Sequence, residues 1–265
     1  MMEKMIIGRY VPAESVLHRM DPRSKLIIVF LFVAVVFLAN NLWTYLILLG
    51  YTLLMAALSR IPARFLIAGL KPVLFLVLFT FFLHLFLTKE GEVILEIGWL
   101  AIYEEGIRQG IFISLRFFLL ILITSLLTLT TTPIEITDGL EILLGPLKKV
   151  NFPVHELALM MSISLRFIPT LMDETDKIMK AQTARGVEYS SGPIKERMKA
   201  IVPLLIPLFI SSFKRAEELA VAMEARGYKG GEGRTKYRQL QWKSTDTMMI
   251  LLLLAVTALL IVFRG

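Results

Sequence analysis

Five stretches of this chain are apolar for long enough to cross a membrane. They lie at about 24–40, 42–59, 70–88, 110–131 and 247–263, each near the roughly 20 residues that a bilayer core demands. Lipid offers the backbone no hydrogen bonds, so each stretch is expected to close its own as a helix. Only Asn40 and Asn41 separate the first two, which suits a tight turn at one membrane face.

The pattern changes between the fourth and fifth stretches. Residues 132–246 carry both signs of charge, and apolar positions recur at helical spacing. From Pro153, a favoured helix start, Leu157, Met161, Leu165, Ile168, Leu171, Thr175, Ile178 and Gln182 fall on one largely apolar face. Gly186 then stands where a C-terminal cap glycine belongs. A second helix is expected from Pro193 to Gly227, followed by the glycine-rich linker "GYKGGEGRTK". Within it, Ala200–Phe213 is apolar but short. Pro203 and Pro207 interrupt it, and Lys199, Lys214 and Arg215 bracket it, so it reads as buried or interfacial rather than spanning. The expected architecture is an all-α membrane protein with about five transmembrane helices and two long cytoplasmic helices. Its parts are 1–131 (tail and four spans), 132–246 (cytoplasmic) and 247–265 (last span).

Charge orients these spans. Lys4, Arg9, Arg19, Arg23 and Lys25 precede the first, and Arg60, Arg64 and Lys71 follow the second. The Asn-Asn turn has no basic residue, and the loop after the third span sets Lys89 and Arg108 against Glu90, Glu92, Glu96, Glu104 and Glu105. Basic loops stay on the cytoplasmic side, which puts the N-terminus inside and the C-terminus outside. Composition agrees: 56% of residues are hydrophobic, above the 45–50% usual for soluble domains, and mean hydropathy is +0.68. A net charge of +7 could serve nucleic acid, but in a membrane chain it reads as cytoplasmic surface. The first 23 residues lack the apolar run of a signal peptide.

Candidate chemistry is sparse. With no cysteine, disulfides, thiolate metal sites and a cysteine nucleophile are excluded. His18, His84 and His155 are isolated, and no zinc-protease, nucleophile-elbow or phosphate-loop pattern occurs. The chain is expected to be non-catalytic and to hold no cofactor. His84 reads as a packed or interfacial residue, with a proton relay as the alternative. For Arg116, inside the fourth span, two readings stand: snorkelling to the interface, or facing the bundle or a substrate protein.

One feature repeats. "AQTARGVE" and "AMEARGYK" both contain Ala-x-x-Ala-Arg-Gly, 41 residues apart, each at the end of a long helix. Ala permits close approach, Arg offers a planar fork that matches a carboxylate, and Gly lets the chain leave the contact. Two copies suit a partner that presents the same groove twice, such as a dimeric cytoplasmic ATPase.

With "HRMDPRSKL" before the first span, "TTTPIEITDGLEILLGPL" after the fourth, and "SLRFIPTLMDE", these motifs resemble the EcfT/CbiQ family over nearly the whole chain. That family is the transmembrane coupling component of energy-coupling-factor (ECF) transporters. The resemblance implies two coupling helices crossed in an X, each docking an Ala-Arg-Gly into one of two ATPases: Ala184, Arg185 and Gly186, then Ala225, Arg226 and Gly227. It also implies that the membrane domain and the upper face of the X hold a small substrate-binding membrane protein, the S-component. Met160, Met161, Met172 and Met179 would give that partner an adaptable apolar surface, or serve core packing. The implied partners are two ATPases, one S-component and the lipid bilayer, without nucleic acid, and ATP is bound by the ATPases. The expected role is uptake of vitamins or other micronutrients. A dedicated cobalt/nickel-type component is the alternative. A secondary transporter would need inverted repeats and charged broken helices, which are scarce here; a membrane-anchored scaffold is the remaining rival.

Overall fold

The computed structural model describes residues 10–97, 100–189, 193–230 and 239–264. The expectations placed on Lys4, Arg9 and residues 231–236 of the glycine linker lie outside them. The chain divides into two compact units, residues 1–143 with 239–265, and residues 144–238.

The first unit contains α1 (Pro22–Val36), α2 (Leu42–Ser59), α3 (Ala63–Leu87), α4 (Glu104–Thr130), α5 (Pro133–Leu143) and α8 (Ser244–Phe263). A small antiparallel hairpin, β1 (Val93–Ile97) and β2 (Leu100–Tyr103), joins α3 to α4. Among the described residues α2, α4 and α8 are long and apolar enough to span a membrane, as is α3 if its 56° bend between Lys71 and Val73 is counted within one span. The residue at the bend is Pro72, which has no N–H to continue the helical ladder.

α1 has only 15 residues, yet it runs between the same two levels as α8. At one end the Asp21 N–H and the Ser24 hydroxyl donate to Asp246 Oδ1 of α8, at 2.9 and 2.6 Å. At the other, the Asn40 and Asn41 side-chain amides donate to the Arg264 and Phe263 carbonyls, at 3.2 and 2.7 Å. The 20 residues of α8 cover roughly 30 Å, the thickness of a hydrocarbon core. α1 with its terminal turn therefore crosses that thickness as well.

The spans pack through a core of α1, α2, α4 and α8, in which Phe32, Val36, Tyr45, Leu48, Leu119 and Leu253 are sealed. α3 leans on α4 instead. Gly106, Gly110 and Ser114 recur every four residues along α4 and let it approach closely. A β-carbon on Gly106 would stand 3.2 Å from the His84 carbonyl, and one on Gly110 would stand 3.2 Å from the Phe81 ring. Ser114 donates to the Val77 carbonyl at 3.2 Å. Small residues at four-residue spacing are how membrane helices gain packing without a hydrophobic drive. The opposite face of α3, with Phe75, Phe79 and Phe86 exposed, is suited to lipid.

Polar groups knot one end of this unit. Asp21 caps α1 by accepting from the Arg23 N–H at 2.9 Å, and its carboxylate also holds the Arg23 guanidinium in a fork at 3.0 and 2.8 Å. Burial alone would push the Asp21 carboxyl up, but these bonds hold it below the usual carboxylate range. Lys25 Nζ donates to the Thr130 carbonyl and Thr131 Oγ1, at 2.9 and 3.1 Å, tying α1 to the end of α4. Thr132 and Glu135 cap α5 reciprocally. Gly139 of α5 sits against Leu26 and Pro22 of α1. α5 packs on α1, and the first unit runs on through Leu143. The motifs "HRMDPRSKL" and "TTTPIEI" meet in this knot. The Arg116 guanidinium lies over the Phe37 ring, 5.2 Å from the centroid, and donates to the Ala39 carbonyl at 3.4 Å, so it packs on the turn after α1 and reaches toward the Asn40–Asn41 end of the unit.

Candidate functional site

The second unit is built from two long helices after a 3-10 turn (Gly145–Val150): α6 (Val154–Ala184) and α7 (Ile194–Ala225). Pro153 and Pro193 stand immediately before them as N-caps, as expected from the sequence. At 31 and 32 residues each is roughly 46–48 Å long. Ala200–Phe213 forms a continuous part of α7, and α7 does not meet the length-and-composition test for a span. Among the described residues α6 is long and apolar enough, though it is the least apolar of the four such helices.

The two helices run antiparallel where they touch. Arg215 of α7 is bound to Glu174 of α6 at 2.8 Å, and Gln182 Nε2 donates to the Pro203 carbonyl at 3.4 Å. That carbonyl has lost its helical partner because Pro207, four residues on, has no N–H. Gln182 occupies the place of the missing donor. Ile163, Phe167 and Leu171 of α6 and Ala216, Leu219 and Met223 of α7 line an apolar groove of about 280 Å³. The face of α6 turned to α7 is therefore rotated from the expected stripe. It shares Leu171 and Gln182 with that stripe but runs through Ile163, Phe167 and Glu174, while Leu157, Met161 and Ile168 are exposed. Charge pairing and proline repair, which hydrophobic periodicity does not register, set the angle.

Each helix ends in the same hydrogen-bonded closure. At the end of α6, the Gly186 N–H donates to the Thr183 carbonyl and the Val187 N–H to the Gln182 carbonyl, both at 3.0 Å. At the end of α7, the Gly227 N–H donates to Glu224 at 2.8 Å and the Tyr228 N–H to Met223 at 3.0 Å. This is the Schellman arrangement, which needs a left-handed residue after the cap. Gly186 and Gly227 supply it, at φ +91° and +75°. A β-carbon on either would meet nothing within 4 Å, so the glycines answer to backbone conformation and not to crowding.

Ala184, Arg185, Gly186, Ala225, Arg226 and Gly227 are all exposed, and neither arginine has an ion-pair partner among the described residues. The two ends do not come together. Met223, near the end of α7, shares the groove with Ile163 and Phe167, about 20 residues before the end of α6, so the motifs stand on the order of 30 Å apart. Met160, Met161 and Met172 are exposed and Met179 is half-buried; none lines the groove. No group of three His, Asp or Glu among the described residues could hold a metal ion. Lys25, which helps organise the first unit, lies within "HRMDPRSKL", while Asp246 gave no motif signal in the sequence.

Comparison with known proteins places this geometry. The profile of the CbiQ family, described as cobalt transport protein, matches residues 13–237. The chain belongs to the CbiQ family. It is 67% identical over 265 residues to the energy-coupling factor transporter transmembrane protein EcfT of Bacillus subtilis, covering the full length of both chains. It is 58% identical over 261 residues to the protein of the same name from Exiguobacterium sibiricum, covering 98% of this chain and 99% of the relative. It is 49% identical over 262 residues to that of Lactococcus lactis, covering 99% and 98%. Family membership and the apolar helices make this CbiQ-family chain a multi-pass membrane protein.

Proposed function

We propose that this chain is the non-catalytic coupling subunit of an ECF-type importer in the cell membrane. It passes the ATP-driven motion of two cytoplasmic ATPases to a substrate-binding S-component, for uptake of vitamins or other micronutrients. The observation that carries this reading is the pair of matched, exposed Ala-Arg-Gly ends at opposite ends of one antiparallel helix pair. Two identical closures on the order of 30 Å apart fit two copies of one partner, each offering a groove with a carboxylate for the arginine. A chain that carried substrate itself would have no use for that symmetry.

In this mechanism the rigid bodies are α6 and α7. Nucleotide binding moves the two ATPase grooves relative to each other, and each groove drags one helix end. The Glu174–Arg215 ion pair and the groove residues make the two helices respond together. Exposed apolar side chains, Met160, Met161 and Met172 among them, then pass the displacement to the S-component. ATP stays on the ATPases.

The test is co-purification of the ATPases and transport in Arg185→Ala, Arg226→Ala and the double variant. Truncating one side of a buried interfacial charge pair costs about 2–5 kcal/mol, or roughly 30- to several-thousand-fold in affinity. Each single variant is expected to weaken assembly and cut transport, and the double to release the ATPases from a folded membrane protein. Lysine at either position is expected to rescue poorly, since it keeps the charge and loses the fork. Full assembly and transport in the double variant would overturn the proposal.

A further inference from the structure

A cavity of about 410 Å³ opens in the first unit between the end of α1, the start of α2 and the middle of α4. Its walls are mixed, with Phe37, Phe112 and Ile113 beside Asn40, Glu105, Arg108 and Gln109, and two polar donors beside it are unsatisfied. The Nε of Arg116 is buried and has no hydrogen-bond partner, and the same holds for the hydroxyl of Tyr45, a side chain with no exposed surface. Arg116 has five N–H donors, and its one acceptor is the Ala39 carbonyl at 3.4 Å. Charge is unbalanced as well. Arg108, also on the wall, is paired with Glu105 at 3.7 Å, which leaves Arg116 as surplus positive charge. A buried donor without a partner costs about 1–3 kcal/mol, and a half-buried cation left over after the Arg108–Glu105 pair calls for an anion.

Depth selects the anion. The cavity lies level with the Asn40–Asn41 turn, where α1, α2 and α8 all end, and Trp43 in the first turn of α2 is 66% exposed there. Exposed tryptophan at helix ends marks the headgroup layer. We propose that this cavity binds the phosphate headgroup of an anionic phospholipid, with Arg116 and Tyr45 as donors to the phosphate oxygens and the aromatic walls against the upper acyl chain. The site involves no residue of the coupling unit and stands whether or not the proposed function does.

Native mass spectrometry of the full-length chain in detergent tests it, with phosphatidylglycerol, phosphatidylcholine and inorganic phosphate as separate probes. One phosphatidylglycerol per chain is expected to survive delipidation, bound at least tenfold tighter than phosphatidylcholine. Arg116→Met is expected to lower that affinity by tenfold or more, and Tyr45→Phe, which removes only an unsatisfied hydroxyl and so preserves the fold, by about fivefold. Equal retention in the wild type and Tyr45→Phe would overturn the donor assignment. Binding of inorganic phosphate without retention of phosphatidylglycerol would overturn the lipid and leave a free-anion site.

Discussion

The two units treat polar groups in opposite ways. In the spanning unit, Asp21, Lys25 and Asp246 are buried; Lys25 and Asp246 bond across to neighbouring helices, and Asp21 holds Arg23 of its own. In the second unit most charges lie outside, the Glu174–Arg215 pair ties the two helices, and both Ala-Arg-Gly ends face solvent. A buried charge without a partner is strongly destabilising. An exposed arginine on a capped helix end is under no such demand, and is free to be satisfied by another molecule. Apart from the Arg116 cavity, the first unit closes its buried charges within itself, while the second leaves its two matched arginines open.

The sharpest way to break this comparison is to ask whether α6 crosses the membrane, since its length and composition alone permit it. In the cysteine-free background, single cysteines at Lys148 and Glu188 flank α6, and one at Lys229 follows α7. All three are expected to react with an impermeant thiol reagent from the cytoplasmic side, and a cysteine at Glu92 only from outside. The effect is all or none. Labelling of Lys148 and Glu188 from opposite sides would make α6 a span, and the contrast between the units would collapse.

The next largest effect is expected at Asp246. Its carboxylate accepts from the Asp21 and Lys243 backbone N–H groups and from the Ser24 hydroxyl. Asp246→Ala strands all three donors, at about 1–3 kcal/mol for each buried group. A fall of ten degrees or more in apparent melting temperature in detergent is expected, or loss of the protein from the membrane. Asp246→Asn keeps one acceptor oxygen and is expected to lie between. An alanine variant as stable as wild type would mean that the knot is not what holds α8 to α1.

Gly110→Leu probes the α3–α4 seam of the same unit. Its side chain would enter space held by Phe81, and overpacking of this kind costs about 1–3 kcal/mol. The expected result is lowered thermal stability of the membrane unit with ATPase binding retained. Equal loss of ATPase binding would show that the two units are not energetically separable.

The spans and the two long helices of the second unit are legible in the sequence because their causes are local. A bilayer enforces a continuous apolar run, and Pro153, Pro193, Gly186 and Gly227 punctuate the helices where backbone geometry requires. What stayed hidden depends on residues far apart in the chain. Asp246 is one carboxylate ahead of an apolar run, and its meaning appears only when the start of α1, 225 residues away, is placed against it. The hairpin β1–β2 is short and lies in a loop noticed for its glutamates. The orientation of α6 follows from Glu174–Arg215 and from a carbonyl orphaned by Pro207, neither of which has a hydrophobic period. Gly106, Gly110 and Ser114 are different: their four-residue spacing is local, and only the helix they meet depends on distant residues.

The smallest effects are expected at the cap glycines, and they separate two roles that coincide in the sequence. At φ +91° and +75° any β-carbon is strained, by about 1–2 kcal/mol per residue. Among the described residues no atom lies within 4 Å to clash with it. Gly186→Ala and Gly227→Ala are therefore expected to fray the last helical turn and weaken ATPase binding by about 5- to 30-fold, with little change in the membrane unit. Asparagine tolerates the left-handed region better than alanine. If the glycines serve only to close the helix, Asn at 186 or 227 is expected to restore much of the binding that Ala loses. If the ATPase groove closes over the glycine itself, Asn, being larger, is expected to bind no better than Ala while the free chain keeps its helix ends. ATPase affinity measured beside the helix content of each variant distinguishes the two. Wild-type affinity in both the Ala and the Asn variants would remove the glycines from the contact altogether, leaving Arg185 and Arg226 to carry it.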